Sequence, residues 1–230
     1  MLYLERNFWG LWGETMILNC QQLFQATENP KINDITLDLL REYYETYLHP
    51  YIYQYEITEK TGGGSKKRTI ELRFDQENFC HLLGLETIVK RSVRDISEYK
   101  AQLGWDKIKA GDIDFGDLKL KNKKGFKDNK SKFVFFYLIP QLIDAPKGVL
   151  FDADMVSGTT RVSCELLFYD ELQKAHVHVG IKYDEDLGYY IPKTFLIEKN
   201  AGTKYIDNQT EVIVTKIAKI ECEEEKNSDN

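Results

Sequence analysis

The pattern of secondary-structure signals changes near Gly148, and this change constrains the fold more than any other feature of the chain. Before it, Thr36–Leu48 carries apolar residues at the spacing of an amphipathic helix. After it, short segments with alternating side chains follow one another: 149–151, 162–169, 175–183, 189–198 and 211–221. Helices followed by a run of strands are typical of α+β domains. We therefore predict N-terminal helices packed on an antiparallel β-sheet of about four to five strands.

A β-hairpin is predicted within the first half of the chain. Tyr51–Ile57 and Thr69–Phe74 are both extended in pattern, and Gly62–Ser65 supplies the turn between them. Asp75 then caps a short predicted helix, 76–83, and Gly84 ends it.

With 230 residues, 42% of them apolar, the chain is long enough for one sizeable hydrophobic core and short for two. We expect an N-terminal helical extension over residues 1–34 and one α+β domain over residues 35–221. Residues 222–230 are acidic and lack core-forming side chains, so we expect a disordered tail there.

No membrane span or secretion signal is expected. The longest apolar run, Phe133–Pro140, is far shorter than the roughly 20 residues needed to cross a bilayer. The N-terminus carries Glu5 and Glu14 and lacks a basic n-region and a small-residue cleavage site. The four cysteines are scattered and form no C-x-x-C pair, which favours a reducing, cytoplasmic location without a zinc or disulfide framework.

Charge is distributed unevenly along the chain. The whole sequence has a formal net charge of -6, but residues 60–132 contain 18 Lys and Arg against 11 Asp and Glu, a net charge of +7. The segment Lys119–Lys132 has seven lysines and one aspartate. Such a run either binds phosphate groups or forms a solvated, flexible loop, and both interpretations stay open. If it binds RNA, the candidate contacts are Arg73, Lys121, Lys123, Lys124, Lys127 and Lys132.

Two histidines lie on one face of a predicted strand. Ala175–Tyr183 alternates strictly, so His176, His178 and Lys182 share the face opposite the apolar residues. A solvent-facing strand surface is the favoured interpretation. The pair could also supply two zinc ligands, although no spacing marks a third, or an acid and a base for phosphodiester cleavage.

Two further segments are candidate functional sites. His81 lies in an apolar helical turn, where a hydrogen-bonded core histidine is the more common explanation. Pro192 interrupts the pattern of a strand. Tyr190, Lys193 and Thr194 therefore lie either at the rim of a ligand site or at the start of a turn that binds no ligand. No Walker loop, G-x-G-x-x-G, G-x-S-x-G or His-Glu-x-x-His motif occurs, which argues against nucleotide hydrolysis and metalloprotease chemistry.

Three features in order resemble one nuclease group. They are the strand Ile70–Phe74, the segment Phe79-Cys-His-Leu-Leu-Gly-Leu85, and the late Tyr189-Tyr-Ile-Pro-Lys-Thr-Phe195. This combination is similar to the phage and mobile-element nuclease domains of the barnase/EndoU/colicin/RelE-like group, in particular the fourth phage subgroup. The similarity extends over residues 35–221.

The resemblance implies a metal-independent ribonuclease that needs no cofactor. A base would deprotonate a ribose 2′-hydroxyl, an acid would protonate the leaving 5′-oxygen, and a cation would stabilise the phosphorane. His81 matches the histidine of the family, and Thr194 stands where serine is more usual. We expect Lys182 and Lys193 to supply the positive charge, and His178 or His176 a second acid or base, with Tyr190 at the same rim.

Three hypotheses follow for the function. The first is an RNA-cleaving toxin or defence-related nuclease of a phage or mobile element, whose partners are RNA and a cognate antitoxin or immunity protein. The second is a catalytically inactive protein of the same fold that binds protein or nucleic acid. The third is a metal-dependent enzyme that uses His176 and His178.

Overall fold

Seven β-strands form one closed sheet in the computed structural model, which describes residues 17–200 and 202–222. The order around the barrel is β1-β2-β6-β5-β4-β3-β7, and β7 pairs with β1 to complete the closure. The strands are β1 (Tyr51–Thr61), β2 (Gly64–Arg73), β3 (Lys147–Leu150), β4 (Leu166–Leu172), β5 (Ala175–Asp184), β6 (Tyr189–Lys199) and β7 (Thr210–Glu221).

The predicted open sheet of four to five antiparallel strands is wrong. The predicted hairpin is present as β1 and β2, but it belongs to the same sheet as the later strands. All neighbouring strands are antiparallel except β2 and β6, which run parallel and meet at the single pair Leu72 and Tyr190. Local residue patterns indicate where strands lie, but pairing between β1 and β7 is decided by long-range packing, which those patterns do not encode.

Most of the helices lie in the chain between β2 and β3 rather than at the N-terminus. They are α1 (Cys20–Phe24), α2 (Leu37–Tyr47), α3 (Asn78–Leu83), α4 (Leu85–Val89), α5 (Ala101–Lys109), α6 (Phe115–Lys121), α7 (Lys123–Phe135) and α8 (Ile139–Asp144), with 3-10 turns at 97–99, 136–138 and 153–155. Within the described part of the chain, none of the helices is both long enough and apolar enough to cross a lipid bilayer.

The lysine-rich segment is helical and forms the end of α6 and most of α7 rather than a flexible loop. Side-chain caps explain the two helix starts. Asp114 accepts a hydrogen bond from Asp117 N at 2.7 Å, and Asn122 accepts one from Gly125 N at 2.9 Å. Phe126 and Phe133 bury the inner face of α7, so all of its lysines except Lys132 remain exposed on its outer faces.

Helices and strands share one hydrophobic core. The buried ring of Tyr44 packs against Phe79 of α3, with centroids 5.4 Å apart, and its hydroxyl donates to Asp75 O at 2.7 Å. Phe136 connects this cluster to Phe195 of β6, with ring centroids 5.8 Å apart. These contacts fix α3 against β6, which is where the candidate site forms.

The predicted termini are described only in part. Leu23 of α1 is buried in the core, and Cys222 N donates to Pro50 O at 2.7 Å. Residues 1–16 and the predicted acidic tail from residue 223 lie outside the described residues. The division into an extension, a domain and a tail stays a prediction.

Candidate active site

A cleft of about 540 Å³ forms where α3, the end of α7, β5 and β6 meet. Helices supply one wall and the barrel supplies the other, while the segment before β4 closes the rim. Its basic and polar lining includes His81, Lys132, Thr160, Arg161, Ser163, Lys182, Lys193 and Thr194. None of the described residues that line the cleft is acidic, so it attracts anions.

Helix α3 turns His81 into the cleft by burying its other residues. Phe79, Leu82 and Leu83 are fully buried, whereas 51% of the His81 side chain is exposed. Gly84 then ends the helix with a left-handed φ of 72°. A Cβ there would lie 3.1 Å from Asn129 Oδ1 and close to the ammonium of Lys132. Glycine at this position therefore permits both the sharp helix end and the close approach of α7.

Both ring nitrogens of His81 face hydrogen-bond acceptors. Nε2 lies 2.8 Å from Lys193 O, and Nδ1 lies 3.0 Å from Glu86 Oε1. A neutral imidazole has one N–H donor, whereas the imidazolium has two. The doubly protonated ring would therefore donate to both partners, and a neutral tautomer to one of them.

A β-bulge in β6 places two consecutive side chains in the cleft. Gly180 of β5 pairs with Thr194, but the next residue, Ile181, pairs with Pro192, so Lys193 is the extra residue. Neighbouring residues of a regular strand point to opposite faces, yet Lys193 and Thr194 both line the cleft. Gly180 leaves room for Thr194, because a Cβ there would lie 2.5 Å from Thr194 Cγ2.

Lys132 is a half-buried lysine in the wall of the cleft. Its Nζ donates to Leu82 O at 3.2 Å, a carbonyl in the last turn of α3. Burial lowers the pKa of Lys132 from 10.5 to about 8, and the nearby Glu86 carboxylate opposes this shift only in part. A lysine with a pKa near neutrality is suited to proton transfer as well as to binding an anion.

The sequence matches the model of one protein family. A sequence model of the family described as phage-Barnase-EndoU-ColicinE5/D-RelE like nuclease4 matches residues 42–230. The chain belongs to this nuclease family. The resemblance noted in the sequence is thereby confirmed, and every residue of the cleft lies inside the matched range. No match was found among curated proteins, and none among solved structures.

The cleft of this nuclease contains four of the six residues predicted to be catalytic: His81, Lys182, Lys193 and Thr194. Tyr190 lies outside it, because its side chain is buried at the contact between β2 and β6. His178 is fully buried, with its Nε2 3.1 Å from Glu198 Oε2 but without a hydrogen bond of acceptable geometry. Burial lowers the pKa of His178, which favours its neutral form.

The predicted RNA contacts are distributed over several surfaces. Lys132 lies in the cleft and Lys124 in a neighbouring groove, whereas Lys127 lines a separate depression. Neither Lys121 nor Lys123 lines the cleft or the groove. Arg73 is also remote, since its guanidinium stacks on the ring of Tyr189 at 4.5 Å and pairs with Glu71.

The histidine pair of β5 does not converge on a metal site. Nδ1 of His176 donates to Gly202 O at 2.7 Å, while the ring of His178 lies between those of Tyr169 and Tyr205. Among the described residues, no three His, Cys, Asp or Glu side chains form a group that could hold a metal ion. The alternation of β5 was correct, but the loop carrying Tyr205 covers the face that was expected to meet solvent.

Sequence reasoning missed three features of the cleft. Arg161 reaches it from an irregular segment, and Glu86 orients His81 across the glycine that ends α3. Lys132 was included among RNA contacts, but nothing in a run of seven lysines distinguishes the one that packing buries. For the contact between Glu86 and His81, the sequence offered one signal. Both residues lie close to Gly84, where a helix was predicted to end.

Replacing Lys132 should reveal the energetic cost of this site. Because the folded protein holds a partly desolvated ammonium at pH 7, Lys132→Met should raise the free energy of unfolding by up to about 3 kcal/mol. Between pH 8 and 10.5 the folded wild type has lost this proton while the unfolded chain still binds it, so the wild type gains stability and the difference should shrink. Denaturant titrations at several pH values measure both effects.

The matched control is Lys130→Met, at an exposed position of the same helix. It should change the free energy of unfolding by less than about 0.5 kcal/mol at each pH. A Lys132→Met protein that is clearly less stable than wild type at pH 7 would show that the ammonium stabilises the fold.

Proposed function

We propose that this nuclease is a metal-independent endoribonuclease that cleaves RNA through attack by the ribose 2′-hydroxyl. The observation that carries the proposal is the convergence of His81 with Lys132, Lys182, Lys193 and Thr194 in one cleft without an acidic lining residue. A phosphodiester is an anion, and negative charge on its oxygens increases as the phosphorane forms. Preorganised cations stabilise that charge and can take the electrostatic role that a metal ion has in other nucleases.

His81 is assigned as the general acid. As an imidazolium it would donate from both ring nitrogens, to Lys193 O and to Glu86, and it would carry the proton that the leaving 5′-oxygen needs. The substrate would replace the carbonyl of Lys193 as the partner of Nε2, while Glu86 keeps Nδ1 protonated and the ring oriented. Glu86 is thus a positioning residue in this mechanism.

Lys132 is assigned as the general base. A pKa of about 8 leaves a useful fraction of the neutral amine near physiological pH, and that amine can accept the proton of the 2′-hydroxyl. The 2′-oxygen then attacks phosphorus as the bond to the 5′-oxygen breaks, which gives a 2′,3′-cyclic phosphate and a 5′-hydroxyl. Lys182 and Lys193 stabilise the non-bridging oxygens, and the Thr194 hydroxyl donates a hydrogen bond to one of them.

The same geometry supports a second candidate, a catalytically inactive module that binds nucleic acid. The observation in its favour is that both ring nitrogens of His81 are already engaged, so the ring connects α3 to β6 as a structural contact would. The basic lining would then bind RNA phosphates without cleaving them.

Incubation with mixed RNA in excess EDTA distinguishes these candidates. We expect wild-type protein to cleave RNA under chelation, and His81→Ala to lower kcat/KM by at least about 100-fold because the leaving oxygen loses its proton donor. His176→Ala is the control, since His176 lies outside the cleft and bonds to Gly202 O. It should retain full activity.

Two other outcomes of this experiment would contradict the proposed ribonuclease. RNA that stays intact in all conditions but binds the protein would favour the inactive module. Activity that disappears in EDTA, returns with zinc or manganese, and is lost in His176→Ala would support a metal-dependent enzyme instead. Circular dichroism of each variant shows whether a loss of activity is a loss of folding.

The pH dependence of cleavage tests Lys132. A lysine acts as a base only when neutral, so kcat/KM should rise about tenfold per pH unit on the acidic side of the profile, where Lys132 is mostly protonated. In Lys132→Met the remaining activity should lack this limb. A limb with the same midpoint in the variant would refute the assignment of Lys132 as the base, whatever the absolute rates.

The proposed biological role is that of a toxin or defence nuclease. A phage- or mobile-element toxin or defence nuclease would act in the cytoplasm, and the four cysteines, all free, suit a reducing compartment. A cognate antitoxin or immunity protein with an acidic surface would complement the lysine-rich cleft and block the entry of RNA.

A further inference from the structure

A second groove of about 600 Å³ lies beside the cleft. Its walls are the end of α4 with the residues that follow it, and the first two turns of α7. Thr87 and Arg161 line both the groove and the cleft, so the two depressions are continuous. A chain that enters one can extend into the other without leaving the protein surface.

The groove is strongly basic. Lys90, Arg91, Lys124 and Arg161 line it, against a single acidic residue, Asp128. Lys90, Arg91 and Lys124 are exposed, and within the described residues none of these four cations has a carboxylate within 4.0 Å. Elsewhere several lysines and arginines are committed to ion pairs, such as Arg41 with Asp38 and Glu45. The groove therefore offers cations that are free to bind phosphate.

The two walls are held in place by partly buried hydrogen bonds rather than by the charges. Asn122 Nδ2 donates to Ile88 O at 2.8 Å, and Asn122 Oδ1 accepts from Gly125 N at 2.9 Å. These bonds tie α7 to α4. A Cβ on Gly125 would lie 2.7 Å from the Asn122 side chain and 3.2 Å from Ile88 O, so glycine permits this close contact. The cations are thus displayed on rigid elements, which lowers the entropic cost of binding.

We infer that the groove binds the phosphate backbone of the RNA that flanks the scissile bond, and that the substrate is an extended single strand rather than a dinucleotide. This inference rests on the proposed function, whose cleft supplies the chemistry. Groove cations that contact phosphates add affinity without reading sequence. Short substrates reach only the cleft, whereas longer substrates also gain the groove.

The triple variant Lys90→Gln, Arg91→Gln, Lys124→Gln tests the inference in the full-length protein. Binding is measured by fluorescence anisotropy with a 12-nucleotide 2′-O-methyl RNA, which cannot undergo 2′-hydroxyl attack and so reports binding without catalysis. We expect affinity to fall by about 10- to 100-fold in low salt. The slope of log K against log salt should flatten by about 2, because three phosphate contacts are lost. Cleavage of a dinucleotide should stay within about twofold of wild type.

The matched control is Lys31→Gln, Lys130→Gln, Lys174→Gln, which removes the same charge from a lysine-rich depression that shares no lining residue with the cleft. It should leave the binding of the 12-nucleotide RNA within about threefold of wild type. Equal losses in both triple variants, or an unchanged salt slope in the groove variant, would overturn the inference. A wild-type protein that binds the RNA through the groove but cleaves no RNA would contradict the proposed function and leave the groove supported.

Discussion

The hydrogen bond from His81 to the carbonyl of Lys193 is the interaction on which the cleft depends. It connects α3 to β6 at the β-bulge, where Lys193 has no partner across β5. Strand β6 meets β2 through one residue pair, so packing of the helices against β6 stabilises this junction. The bulge also turns Lys193 and Thr194 to the same side. The β-bulge in β6 therefore contributes to barrel closure, to helix packing and to the shape of the cleft.

The charge of the cleft is local and carries an energetic cost. The chain as a whole has a net charge of -6, yet the lining of the cleft is basic. Lys132 shows the cost most clearly, because burial disfavours its ammonium and brings its pKa to about 8. A residue that only stabilised the fold would not be expected in such a position. Destabilising groups held in place by surrounding packing are typical of functional sites, where activity requires a perturbed group.

Sequence patterns predicted the parts of this structure that depend on neighbouring residues. The hairpin, the helix stop at Gly84 and the alternation of β5 each follow from a few adjacent side chains, and the irregularity at Pro192 is present as the bulge. Barrel closure was not predicted, because pairing between strands about 160 residues apart leaves no local signal. His178 is buried outside the cleft, where a distant loop residue, Tyr205, packs against its ring. The burial of the Lys132 side chain likewise arises from tertiary packing, so the sequence pattern did not predict it.

The chemistry of the RNA ends tests the central claim most directly. If the cleft of this nuclease directs attack by the 2′-hydroxyl, mass spectrometry of a cleaved oligonucleotide should show 2′,3′-cyclic phosphate and 5′-hydroxyl ends. A single 2′-deoxy substitution at the scissile nucleotide should abolish cleavage there. Products with 5′-phosphate and 3′-hydroxyl ends, or cleavage that tolerates the 2′-deoxy substitution, would contradict the account, because water rather than the ribose would then be the nucleophile.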